Sequence, residues 1–562
     1  MNRKKGYLIC VILWIVWMAA IYYVTLPALN IHSLGFWFYL IVAVLLPPTI
    51  GIGIVQSAIR VSRRGIHVEK SFFSRLPKIL VGVIVGILIV LGINAIFSAE
   101  LFHAKRYASI LEIEEKEFTE DIDQSTALTK IALMDTSSAI RLGNREIGSL
   151  TELVSQYNVS ENYAQIDVNG SPMKVSALDY DGFFKWAGNR KEGIPGYVTV
   201  DPVGQSANYV QLEEGMKYVP SAVFNEKLER HLRFKYPTKI FGNTHFEIDE
   251  EGKPYYVSCV YGYKVGLFSG ETVKGAIICD PVTGDCEYYD VADVPRWVDN
   301  VFDGELLTTQ YNWYGNLSNG FWNSLIGKKG CKKCTETAQS GSDGYVADYG
   351  YIAKDGDIWI YTGVTSVNDD ASNIGFILVN QRTSEAHYFV IPGADENSAM
   401  NAAEGEVQEK RYEASFPSLV NIDNQPTYVM VLKDSNGIVK MYAMVNVEQY
   451  NIVTTANSLD ECFEKYRKKL GHEDTEEPSD DEEDKLGAEA TFVVEIASIQ
   501  YVSIDGNTFV YLESVDGKVL RQKFSDNEQL ITLRVGEQIR VTARQNEKGT
   551  YFMTDFTKQM PR

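Results

Sequence analysis

Cys331-Lys332-Lys333-Cys334 is the sharpest local signal for chemistry in this chain of 562 residues. A CxxC pair can be a redox dithiol, half of a zinc site or a local bridge, and lysines beside it favour the reactive thiolate. The surrounding GKKGCKKCTETAQSGSDG is polar and glycine-rich. It reads as a loop, not as the strand-to-helix junction that carries redox dithiols, so a structural pair ranks ahead of metal and metal ahead of redox. Cys279 and Cys286 flank the turn DPVTGD symmetrically. Opposed on a hairpin they would bridge across strands, or join Cys331 and Cys334 as four thiolate ligands for zinc. These four are the candidate metal ligands.

Other chemistry lacks a motif. His32, His67, His103, His231, His245, His387 and His472 are scattered, and there is no HExxH, GxSxG or phosphate-cradling loop. Carboxylates are abundant, but nothing selects a pair for acid–base work. No catalytic residue and no cofactor is assigned, and the reading leans away from an enzyme. One segment is locally basic, with Lys217, Lys227, Arg230, His231, Arg233, Lys235 and Lys239. A solvated helix face ranks ahead of an anion or wall-polymer contact there.

The elements that hold these residues begin with three apolar stretches at 6–27, 34–59 and 79–97, none containing Lys, Arg, Asp or Glu. Each is near or above the ~20 residues a helix needs to cross hydrocarbon. Arg3, Lys4 and Lys5 precede the first; Arg60, Arg63, Arg64, Lys70, Arg75 and Lys78 separate the second from the third; the 28–33 connection has no basic residue. The positive-inside rule places the N-terminus in the cytoplasm and everything from Ser98 outward. A cleaved signal peptide ranks below a span, because the first stretch is long and lacks a small-x-small site. Intramembrane polarity is limited to Asn94 and a few hydroxyls, which argues for an anchor over a transport path. Pro47-Pro48 reads as a packing kink.

The net charge is −21, and residues 1–98 carry nine Lys and Arg against one acidic residue, Glu69, so the rest of the chain is more acidic still. That argues against nucleic acid or anionic lipid as a main partner, since phosphate binding needs a basic footprint. After a helical or loosely ordered stalk at 99–133, hairpins recur through 134–470. The clearest are GYVTVDPVGQSANYV at 196–210 and GAIICDPVTGDCEYYDV at 275–291; those at 375–391 and 427–447 are looser. Each apolar run ends at Asp201, Asp280, Asn380 or Asp434 and resumes after a tight turn. Alternation predicts one buried face. Helices are expected at 221–234, 294–301, 398–411 and 458–470, the last opened by a Ser458/Glu461 capping box. The fold class is α+β, sheets with helices on one face.

The hairpin [IV]xxDPxTGxxxY after a helix resembles the PepSY-type module of peptidase propeptides and bacterial envelope proteins. That resemblance implies a binding or inhibitory role and carries over no catalytic residues. The wider arrangement resembles large Gram-positive membrane proteins with three N-terminal spans, several such modules and a small C-terminal barrel. Residues 471–490 form an acidic linker, and 491–562 read as a five-stranded barrel, OB-like or SH3-like. The expected protein is thus a three-span anchor (1–98) bearing an extracytoplasmic binding, scaffold or regulatory body in a bacterial envelope. Its partners would be the bilayer and another envelope protein or wall polymer. A wall-active hydrolase is the alternative, and thiol or metal chemistry at Cys331 and Cys334 the third.

Overall fold

Three apolar helices open the chain: α1 (Arg3–Thr25), α2 (Leu34–Ile52) and α3 (Phe72–Phe97). The structure, a computed structural model, describes residues 3–52, 72–124, 133–338, 345–347, 349–368, 372–435, 437–471, 489–504, 507–524, 527–545 and 550–558. Arg60, Arg63, Arg64 and Lys70, most of the acidic linker, and the barrel turns expected at 505–506 and 546–549 lie outside the described residues. Among the described residues two helices, not three, are long and apolar enough to cross a membrane: Leu34–Ile52 and Arg75–Phe97. The apolar run of α1, Cys10–Thr25, is shorter than the ~20 residues a full crossing needs.

The proline pair in α2 has a packing explanation. Proline has no N–H, so Pro47 leaves the carbonyl four residues back, on Ala43, without its helical partner. Trp14 of α1 donates its indole N–H to that carbonyl at 3.1 Å, and the turn ahead of the prolines, Leu40–Leu45, widens to a π-helix. A neighbouring helix thus repairs the break.

Residues 100–124 run along the body and do not stand clear of it as a stalk. Helix α4 (Glu100–Ala108) buries Tyr107 against Trp313, strand Ile113–Glu115 pairs in parallel with Ala386–Phe389, and Phe118 and Ile122 enter a core. Four main sheets follow, each after a helix and antiparallel apart from the Ile113–Glu115 edge of the third, beside a two-stranded ribbon of Glu336–Ala338 and Tyr345–Ala347. Helix α5 (Thr136–Ser149) precedes the first sheet (157–216), α6 (Leu228–Lys235) the second (240–290), α7 (Gly304–Leu317) the third (332–394) and α8 (Glu396–Gly405) the fourth (413–456). Helix α9 (Leu459–Lys469) closes the series with the expected cap at its start, where the Ser458 hydroxyl accepts from the Glu461 N–H.

The sheets stack, and this changes the expected burial. In the second sheet Ile277 and Cys279 face a core shared with the first sheet, while Ala276 and Ile278 face α7 and the third sheet. In the third, Ile360 points back to that second core, while Trp359 and Tyr361 point on to α8 and the fourth sheet. Helices therefore lie between sheets, and inner sheets are buried on both faces instead of one. Near-continuous apolar runs such as DIWIYTGVTS follow from that.

The recurring hairpin has a physical basis in Gly-x4-[Asp/Asn]-x7-Tyr. Asp201 Oδ1 accepts from the N–H groups of Val203 and Gly204, Asp280 Oδ1 from Val282 and Thr283, and Asn380 Oδ1 from Arg382 and Thr383. Each is an Asx turn. At Gly196, Gly275 and Gly375 a Cβ would strike the carbonyl of Val210, Tyr289 or Phe389 and the ring of Tyr209, Tyr288 or Tyr388. The fourth copy keeps Tyr442 but has Val429 in the glycine place.

A helix expected at 294–301 is absent. The Asp299 and Asn300 N–H groups donate instead to Glu247 Oε2 and Oε1 at 2.9 and 3.0 Å, so a tertiary contact consumes donors a helix would need. The helix lies further on, as α7, capped by Asp303.

The chain divides into two units, residues 1–470 and 471–562. The second is a closed five-stranded barrel of Ala490–Ile504, Asn507–Ser514, Val519–Lys523, Gln538–Gln545 and Tyr551–Lys558. Its third and fifth strands pair in parallel and its other neighbours are antiparallel, so the expected small closed barrel is present. Val510, Leu512, Leu520, Ile539 and Val541 fill the interior.

Candidate functional site: a thiol pair under a basic helix

The turn Asp280–Asp285 brings Cys279 and Cys286 opposite one another as cross-strand partners, with their sulfurs 2.7 Å apart. Cys279 is fully buried and Cys286 partly exposed. Helix α6 lies over this turn. His231 and Lys235, one helical turn apart, both donate to the Gly284 carbonyl, from Nε2 and Nζ, at 2.6 Å each. Tyr236 donates to the Cys286 carbonyl at 2.9 Å, and the Tyr218 ring rests against His231 with centroids 4.3 Å apart. The basic segment is therefore not a solvated face. Its opposite side holds the end of α1: Arg233, buried, donates to the Leu26 carbonyl at 2.9 Å, and Arg230 to that of Tyr23 at 3.3 Å. These are carbonyls at the C-terminal end of α1, where guanidinium groups are favoured.

Electrostatics divides the thiols. Contact with Cys279, with the nearby His231 and Lys235 charges, holds the Cys286 thiol below its ordinary range against the opposing effect of burial. Contact with Cys286, then burial, pushes Cys279 up. The bond to Cys286 raises His231. Cys286, the partly exposed member with the lowered thiol, is the more accessible nucleophile of the two.

His231, Cys279 and Cys286 are the one group of three or more metal-type ligands among the described residues, their ligand atoms all within 4.8 Å. Cys331 and Cys334 stand elsewhere. They flank and end the edge strand Lys332–Cys334, which pairs with residues 364–366, so the motif is not in a loop. Cys331 Sγ receives Asn323 Nδ2 at 3.4 Å, and the Cys334 N–H donates to Asn312 Oδ1 at 2.8 Å. Cys279 belongs to the core before the second sheet and Cys334 to the core after it. The four cysteines therefore form no common zinc set. Gly315 of α7 leaves no room for a Cβ beside the Lys332 carbonyl, which is how closely the CxxC strand is held.

The strongly perturbed carboxyls serve the stack. Burial pushes Glu247 and Glu396 up to about 7, and burial together with the Glu247 charge raises Asp299. Glu396 accepts from the Gly363 N–H at 2.6 Å and Thr335 Oγ1 at 3.0 Å. All three are at most 1% exposed and bond backbone donors between sheets. A cavity of about 130 Å³ lies among Met134, Asp135, Lys174, Tyr351 and Phe416, with burial lowering Lys174 to about 8.

No protein family matches the chain, and no curated protein matches it. Among solved structures, a levansucrase point mutant from B. megaterium aligns over 76% of this chain and 95% of that one, at 10% identity and a TM-score of 0.16. A TM-score that low carries no argument.

Proposed function

We propose that this chain is a membrane-anchored binding and scaffold protein of a bacterial envelope, its stacked body on the extracytoplasmic side. The observation that carries the reading is the seam between body and helices. The Leu29 N–H donates to Pro237 O at 2.7 Å, Asn30 Nδ2 to Thr238 O at 2.9 Å, and His32 Nδ1 to Leu267 O at 2.9 Å. At the end of α3, Asn94 Oδ1 accepts from the Leu267 N–H at 3.0 Å, and Tyr107 donates to Ser98 O at 2.8 Å. The connection after α1 and the end of α3 thus meet one body. Two crossings, by α2 and α3, would return the chain to the same face in this way, and Asn94 gains a seam contact instead of a transport role.

Two exposed apolar groups beside the seam support a bilayer as the neighbouring phase. Phe224, exposed, precedes Asn225, which binds the Tyr23 hydroxyl, and the Trp186 and Phe183 rings link it to Phe184 (85% exposed). Trp322 and Ile326 (63% and 76% exposed) follow Phe321, which packs on α4 where the chain leaves α3; Lys328 and Lys329 come next. Aromatic side chains suit the membrane interface, and lysines beside them suit headgroups. The helix-plus-antiparallel-sheet units are the architecture that a PepSY-like binding role would use, with another envelope protein or a wall polymer as ligand.

The test is incubation of the full chain in lipid nanodiscs with peptidoglycan and with peptide libraries. Saturable binding without products is expected. Specific turnover of either would overturn the scaffold reading in favour of a wall-active hydrolase.

A further inference from the structure

The Cys279–Cys286 pair has the geometry and the asymmetry of a working dithiol. Next to it, toward the turn, the Asp280 N–H donates to the Asp285 carbonyl at 2.8 Å. Antiparallel pairs alternate, so the cysteines occupy a non-hydrogen-bonded site, where opposed Cα atoms are about 4.5 Å apart and side chains lie closest. That separation lies within the range a disulfide spans. The sulfurs already lie 2.7 Å apart, and the Asx turn of Asp280 holds the register that opposes them.

We infer that Cys286 and Cys279 form a thiol–disulfide exchange couple whose co-reactant is a disulfide, with Cys286 attacking, Cys279 resolving, and His231 with Lys235 as positioning residues. The Cys286 thiolate, its proton resting on His231, attacks one sulfur of the incoming disulfide. A Cys286–sulfur bond forms, the incoming S–S bond breaks, and the first thiolate leaves with the Cys279 proton. The Cys279 thiolate then attacks Cys286 Sγ, and the second leaving thiolate takes the proton from His231. Two protein thiols are oxidised by two electrons and one external disulfide is reduced to two thiols; the reverse sequence reduces the protein.

The charged groups facing the pair fit this use. His231 and Lys235 come from α6; Asp280 of the turn is engaged by Lys253 at 2.8 Å; Glu287 follows Cys286. His231, Cys279 and Cys286 also have the makings of a metal site, but the Lys235 ammonium, bound to the same Gly284 carbonyl as His231, would repel a divalent cation there.

The couple is tested on the full chain in detergent micelles, equilibrated with mixtures of reduced and oxidised glutathione, acid-quenched, alkylated and mapped by mass spectrometry. A reversible Cys279–Cys286 bridge is expected, and Cys279→Ser is expected to trap glutathione on Cys286. At pH 7 Cys286 should react with iodoacetamide about tenfold faster than Cys462, an advantage lost in His231→Asn, with the midpoint of its pH profile moving up. Absence of the bridge at every glutathione ratio overturns the inference. So does a Cys286 pH profile at the ordinary thiol midpoint in the unsubstituted chain, which needs no variant to fold. Copurification of one zinc ion per chain, with thiols silent until chelation, also overturns it in favour of a metal site.

Discussion

Asp299→Ala is expected to lower the stability of the stacked body by about 3–5 kcal/mol, because it leaves two buried backbone donors without acceptors. Asp299 Oδ2 accepts from the Asp167 N–H of the first sheet at 2.7 Å, and Oδ1 from the Ile358 N–H of the third at 3.1 Å. Its own N–H donates to Glu247 of the second sheet at 2.9 Å, while Asn300 Nδ2 reaches the Gln165 carbonyl at 3.1 Å. One short segment therefore staples three sheets. Asp299→Asn keeps one acceptor and is expected to lose about half as much. The measurement is the urea midpoint of the detergent-solubilised chain, with protease resistance of residues 134–394 as a second readout. A midpoint shift below about 0.5 kcal/mol equivalent would show that the sheets are held by their apolar faces alone.

The same buried carboxyls make stability rise as pH falls from about 8 to about 5. Glu247 and Glu396 are pushed up to about 7 by burial, and Asp299 is raised as well. Unfolded, such groups release their protons near ~4, so between there and about 7 the folded state binds more protons. Their stabilisation is fully present below the unfolded value and is lost as pH rises through the folded one, at about 3 kcal/mol for each glutamate. Opposite contributions come from Asp135 and Asp280, where the cost of burial is outweighed by bonds from Lys433 and Lys253 that lower the carboxyls. Those are lost only as pH falls below the ordinary aspartate range, so the optimum lies on the acid side of neutrality. Thermal midpoints between about pH 5 and 8 check this: a flat or rising curve toward the alkaline end would contradict it, and Glu396→Gln should flatten the slope.

What could be read from the residues was mostly local chemistry. The four hairpins were legible because an Asx side chain bonds its own turn, as Asp280 does with Val282 and Thr283, whatever lies around it. The capping box at Ser458 was legible for the same reason. Helix α7 was missed because GELLTTQYNWYGNL is poor in strong helix formers, although Asp303 before it was a usable cap signal. Stacking was missed because a run buried on both faces has no period to reveal its second partner. In the site, Cys279 and Cys286 were placed opposite each other on hairpin symmetry. His231 and Lys235 were not joined to them, since spacing along a helix shows that two residues share a face, not what that face meets. The CxxC motif drew attention by spacing alone, and the fold spends it on an edge strand.

The central claim is that the stacked body stands on the extracytoplasmic side, seated on the ends of the membrane helices. Single cysteines introduced into a Cys286→Ser full chain, at Glu152 on the exposed surface of the body and at Lys78 near the start of α3, test it in intact cells with a membrane-impermeant maleimide. Labelling of Glu152→Cys in intact cells, with Lys78→Cys labelled only after permeabilisation, is the predicted result. Labelling of Lys78→Cys in intact cells with Glu152→Cys protected would reverse the orientation and contradict the account.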